Sequence, residues 1–131
     1  MLKPLPRPTS STSESKTDLP AYLFSVRDAA HLTHIYQKDN TLATHLALGD
    51  YYEGLIGLVD EFTECYSGLY GKQKLSIPAT TIMENPVKDL MTVYETIESK
   101  RKAIKESFLQ NIIDEMQALN ARTLYKLKFV Q

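Results

Sequence analysis

TLATHLALGDYYEGLIGLVDEFTECYSGLYG, residues 41–71, carries the strongest periodicity in the chain. Advanced at about 100° per residue, Leu48, Tyr51, Tyr52, Leu55, Val59, Phe62, Tyr66 and Leu69 fall on one broad face, the pattern of an amphipathic helix. Thr41 offers a side-chain oxygen to cap its start, and Gly71 a residue that can end it. Gly49, Gly54, Gly57 and Gly68 lie inside it. Each costs about 0.5–1 kcal/mol relative to alanine, so the spacing predicts close approach of another backbone along this helix.

Upstream, Thr17-Asp18-Leu19-Pro20 opens the folded part: a capping residue precedes a proline whose missing N–H is harmless in a first helical turn. Helix 1 then runs to about Gln37, with Leu23, Val26, Ala30, His34 and Leu32 near one stripe. Lys38-Asp39-Asn40-Thr41 supplies the turn. Residues 1–17 are rich in Pro, Ser and Thr and poor in large apolar side chains, so burial cannot offset their ordering entropy. They form a tail, disordered or docked on a partner, ahead of a bundle domain over 18–131.

Downstream, residues 72–85 form a connection that Pro78 keeps from being an ordinary helix, with extended backbone near Ile77. Asn85-Pro86 caps and opens helix 3, which continues through Leu90, Met91, Tyr94 and Ile97 toward Ile104. Helix 4 starts near Ser107 and carries Phe108, Ile112, Ile113, Met116, Leu119 and Leu124 to about Leu127. One unbroken helix over 86–127 is the alternative, because nothing between Lys100 and Ser107 is a strong breaker. No segment alternates with period two, so the expected fold is all-α, a four-helix bundle whose one long connection suits a ferritin-like arrangement.

The 131 residues hold fifteen basic and sixteen acidic side chains, a formal charge of −1, which gives no whole-protein field for nucleic acid or an anionic membrane. The basic run Lys100, Arg101, Lys102 and Lys105 is interrupted by acids and reads as a solvated face. No stretch has the length of a signal peptide's apolar region or of a membrane span, so a soluble protein is expected. The lone Cys65 excludes an intrachain disulfide and fits a reducing, intracellular setting. Glycine-rich phosphate loops, zinc-type cysteine pairs and nucleophile elbows are all missing from the sequence, which argues against a conventional enzyme.

Four residues remain as candidate metal ligands: His34, His45, Asp60 and Glu64. Asp60 and Glu64 project from one helix face a turn apart, flanking the apolar stripe. His45 and Asp60 share a helix fifteen residues apart, about 22 Å at the helical rise, whereas metal–ligand bonds are about 2 Å. A site using all four therefore needs two copies of the chain. The plainer reading is that His34 and His45 pack at helix ends with ring nitrogens satisfied by backbone or a carboxylate, that His31 faces solvent, and that Asp60 and Glu64 are a polar flank.

The pattern of His45, Asp60 and Glu64 resembles the ferroxidase motif of Dps, the ferritin-like DNA-protection proteins of starved cells. That resemblance implies an oligomer with an inter-subunit iron site and makes His34 the counterpart of an earlier family histidine, one residue closer to His45 than usual. The sequence departs from the pattern at Ile35-Tyr36, where Trp-Asn is common, and at Gly49, where a further acidic ligand is expected. The stretch Ala43, His45, Ala47, Leu48, Gly49 and Tyr52, with Asp60, Glu64 and the closing LYKLKF of 124–129, is similar to a phage-encoded helical family of unknown function. The resemblances span about residues 20–129.

The expected function is accordingly a phage-type structural or interaction protein without catalytic activity, in the virion or the host cytoplasm, working as a homo-oligomer or in a larger phage assembly. The alternative is an oligomeric Dps-like iron-binding protein with a ferroxidase-type site. The terminal Tyr125–Val130 segment, with apolar groups on a fraying end, suits docking on another subunit.

Overall fold

The computed structural model describes residues 17–39 and 41–131. The tail expected at the amino terminus lies, apart from Thr17, outside them. Four α-helices are present: α1, Leu19–Tyr36; α2, Leu42–Tyr70; α3, Pro86–Lys100; and α4, Ser107–Phe129, with a short 3₁₀ turn, Arg101–Ala103, before α4. Among the described residues there is no strand, and the stretch near Ile77 forms none.

Local chemistry accounts for most boundaries. Thr17 is buried and its hydroxyl accepts the N–H of Leu19 at 3.1 Å, so it serves the helix start that Asp18 leaves without a side-chain cap. Thr41 Oγ1 accepts the N–H of Thr44 at 3.2 Å, and Asn85 Oδ1 that of Lys88 at 3.1 Å ahead of Pro86. Gly71 closes α2 at φ 83°, the left-handed region where a side chain is strained.

Helices 3 and 4 are separate, and α3 stops at Lys100, short of Ile104. No breaker residue causes this. Gln110, in the first turns of α4, donates to the carbonyls of Arg101 at 2.9 Å and Ile104 at 2.7 Å, supplying partners that a continuing helix would otherwise have provided. Arg101 reaches back to Gln110 and Asp114, and Ile104 turns its side chain into the core.

Paired contacts fix the directions. Asp50 with Lys126 and Tyr70 with Glu106 set α2 antiparallel to α4. Tyr94 with Gln117 and Arg101 with Gln110 do the same for α3 and α4. Asp18 with Lys100 at one end and Thr33 with Met83 near the other set α1 against α3. The short turn after Tyr36 sets α1 against α2, so α2 and α3 run parallel and residues 72–85 carry the chain lengthwise from one end of the bundle to the other. Fourteen residues can extend to about 46 Å, enough to follow the roughly 43 Å of α2. Thr33 anchors the far end of this crossover by accepting the N–H of Met83 at 2.8 Å.

The core runs the length of the bundle through Leu23, Tyr51, Leu55, Phe62, Leu90, Ile97, Leu109, Ile113 and Met116, all fully buried. Each such aliphatic side chain contributes about 1.5–3 kcal/mol relative to an exposed one. Leu32 and Leu69, placed by periodicity on the apolar stripes, are instead exposed.

Candidate functional site

The sequence brings His34 to the last turn of α1 and His45 to the first turn of α2, and the intervening turn folds them onto each other. Their rings stack with centroids 4.0 Å apart and planes 18° from parallel. His34 Nδ1 lies 2.7 Å from the carbonyl of His45, and His45 Nδ1 lies 2.8 Å from the carbonyl of His34. A carbonyl oxygen only accepts, so each Nδ1 carries the hydrogen, and in the neutral form of either ring the lone pair lies on Nε2. The carbonyl of His34 is among the last four of α1, which have no donor within their own helix. His45 supplies that donor, and the pair forms a reciprocal clasp across the α1–α2 turn.

This clasp bears on metal chemistry. An imidazole binds a metal through a lone pair lying in the ring plane, and two nearly parallel stacked rings hold their lone pairs in separate planes. They do not converge on one ion about 2.1 Å from both nitrogens. Each Nε2 could face an ion of its own.

Gly49 has a specific place here. A β-carbon on it would stand 2.7 Å from His34 Cε1 and 3.0 Å from His34 Nδ1. The position where the Dps pattern carries an acidic ligand is thus occupied by the His34 ring itself. The expected close approach of a backbone along α2 is not what the glycines accommodate. Gly49 admits an imidazole, Gly54 the side chain of Leu119 at 3.1 Å, and Gly57 and Gly68 have nothing within 4 Å among the described residues.

Asp60 and Glu64 are both exposed on α2, one turn apart. The unbroken helix Leu42–Tyr70 holds Asp60 about 22 Å from His45, so within one chain the histidine and carboxylate pairs stay apart. Among the described residues no group of three or more His, Cys, Asp or Glu side chains is gathered closely enough to hold an ion. His31 is exposed, and it stacks on Tyr52 at 4.1 Å.

A second feature lies at the same end of the bundle. Of the twelve large hydrophobic side chains exposed among the described residues, eight cluster there: Leu32, Ile35 and Tyr36 of α1, Leu42 and Leu46 of α2, and Tyr125, Phe129 and Val130 around the end of α4. Between α2 and α4 a cleft of about 490 Å³ has Ala43 and Ala47 at its floor and Leu42, Leu46, Tyr125 and Val130 on its walls. Asp50, Arg122 and Lys126 stand at the rim, with Lys126 Nζ 3.2 Å from Asp50 Oδ2. The apolar composition of Tyr125–Val130 marks the α4 part of this surface, whereas sequence reasoning missed the α2 part, Leu42 and Leu46, which stand four residues apart on the side opposite the buried stripe.

Elsewhere the polar interior is structural. Gln117 is buried and donates to the carbonyl of Tyr94 at 2.9 Å and to Glu98 Oε2 at 2.8 Å, while accepting from Asn120 at 2.7 Å. The Gln117 amide and the Arg101 guanidinium hold the Glu98 carboxyl below its usual range. The bond that the Tyr70 hydroxyl donates to Glu106 pushes that phenol up to about 12. Burial raises Tyr51 strongly, and its hydroxyl meets no partner among the described residues.

The chain belongs to the family described as "Family of unknown function (DUF5856)", which matches residues 34–127. The match begins at the first residue of the clasp and ends within the apolar end of α4. No curated protein and no solved structure matches the chain. No helix among the described residues is long and apolar enough to cross a membrane.

Proposed function

We propose that the chain is a non-catalytic interaction protein of phage type, a helical bundle that works in the virion or the host cytoplasm as part of an assembly. The observation that carries this reading is the apolar end: eight large hydrophobic side chains are left in water at one end of the bundle, four of them lining the α2–α4 cleft, and concentrated exposed apolar surface of this kind marks interaction sites. The histidine clasp has a supporting role, since it joins two of the three helices that build this end and so fixes the surface. Mass spectrometry of purified virions tests the proposal in its virion form. Stoichiometric amounts of the chain are expected, and its absence from particles would exclude that form.

A second reading, a Dps-like oligomer with an inter-subunit iron site, is favoured by two observations. One long lengthwise crossover between the second and third helices is the connectivity of ferritin-like bundles. Asp60 and Glu64 are exposed, a turn apart, and make no side-chain hydrogen bond or ion pair among the described residues, so a neighbour's histidine end could reach them. Iron would then be the substrate, held by Asp60 and Glu64 of one chain and by His34 or His45 of another. Anaerobic ferrous titration decides it: stoichiometric binding that Glu64→Gln abolishes supports the site, and neither binding nor accelerated oxidation by the wild type ends it.

A further inference from the structure

We infer that the apolar end is an isologous dimer interface, in which Phe129 of each copy enters the α2–α4 cleft of the other. The inference rests on the interaction reading above and names the partner as a second copy of this chain.

Three observations single out that partner. The first is amount. Tyr36, Tyr125 and Phe129 are 68%, 60% and 71% exposed, and Leu42, Leu46 and Ile35 are 70%, 55% and 53% exposed. An aromatic side chain buries about 150–250 Å² when covered, so these residues, with Leu32 and Val130, offer on the order of 800 Å², the share each partner gives to a stable interface of standard size.

The second is shape. An isologous contact needs a surface that carries both halves of its own complement, because residue i of one copy meets residue j of the other and the reverse. This end carries both. The cleft is hollow because its floor is alanine, Ala43 and Ala47. Phe129 projects beside it with its ring 5.8 Å from that of Tyr125, which forms one cleft wall. A two-fold operation therefore presents two rings to two hollows. At about 490 Å³ the hollow has the size of an ordinary binding pocket, ample for one aromatic side chain.

The third is charge. Asp50 stands at the α2 rim and Arg122 and Lys126 at the α4 rim of the same cleft. With Asp50 paired to Lys126 inside the chain, this rim is of mixed sign and does not repel its copy as a one-signed rim would. The remaining exposed face of α2 lacks this property: Glu53, Asp60, Glu61 and Glu64 would face like charges in a second copy.

Sedimentation equilibrium of the purified full chain tests the inference, with Phe129→Glu and Leu46→Glu as interface variants and Ile77→Glu as a control on the distant crossover. All three positions are exposed in the single chain, and circular dichroism confirms the fold of each. A wild-type dimer is expected, weakened about tenfold or more by each interface variant and unchanged by the control. A wild type that stays monomeric at high concentration overturns the dimer, and so does a dimer that survives both interface variants. Neither outcome touches the broader reading, whose virion form the particle measurement tests separately.

Discussion

At Gly49 a β-carbon would stand 2.7 Å from His34 Cε1, whereas at Gly57 on the same helix it would meet nothing within 4 Å among the described residues. The two glycines therefore answer oppositely to the same change. Alanine in a helix interior gains about 1 kcal/mol over glycine. At Gly57 nothing opposes that gain, so Gly57→Ala is expected to stabilise by about 0.5–1 kcal/mol. At Gly49 the ring must move, and with it go the His34 Nδ1–carbonyl bond and the stacking on His45, each contributing about 0.5–1.5 kcal/mol. Gly49→Ala is expected to destabilise by about 1 kcal/mol net. Thermal unfolding of the two variants side by side checks the sign of each. The plain reading of the histidines, ring nitrogens satisfied by backbone at helix ends, was available from residue chemistry alone. Their reciprocity was not, because it depends on how a turn of a few residues orients two helices, and neither residue's neighbours in sequence specify that angle.

Elements were legible where local chemistry decides them. Thr41 and Gly71 bound α2, and Asn85-Pro86 opens α3, each by the cap or stop its residue type provides. No residue near Lys100 fixes the break after it, because the agent is distant: Gln110 takes the carbonyls of Arg101 and Ile104 only once α4 has folded back. The crossover behaves likewise. Its length was readable, but its anchoring was not, since Thr33 and Met83 lie 50 residues apart. Thr33 Oγ1 donates to the carbonyl of Ala29 at 2.6 Å and accepts from Met83, and Thr33 is fully buried. Thr33→Val keeps the shape, strands a buried N–H and is expected to cost about 1–3 kcal/mol. Urea unfolding measures that loss, and faster amide exchange at Met83 would locate it in the crossover.

For the whole molecule, acid should loosen the α3–α4 pair first. The Glu98 carboxyl in the folded chain titrates below the ordinary carboxylate range, because the Gln117 amide and the Arg101 guanidinium favour the carboxylate. A depressed carboxyl contributes stability that is present above the unfolded value and lost as pH falls through the folded one. The wild type is therefore expected to lose stability below about pH 4.5 more steeply than Glu98→Gln, by less than about 1 kcal/mol because the side chain is 42% exposed. Melting curves of both proteins between neutral and acid pH check this.

At the other end of the bundle Leu42, Leu46, Tyr125 and Phe129 stand in water in the single chain. Hydroxyl-radical footprinting, comparing the chain in its native assembly with the dilute purified chain, reads those four side chains directly. They should be oxidised readily in the dilute chain and protected in the assembly, while exposed residues elsewhere, such as Leu75 and Phe108, keep their rates. Equal oxidation of the four in both states would contradict the account.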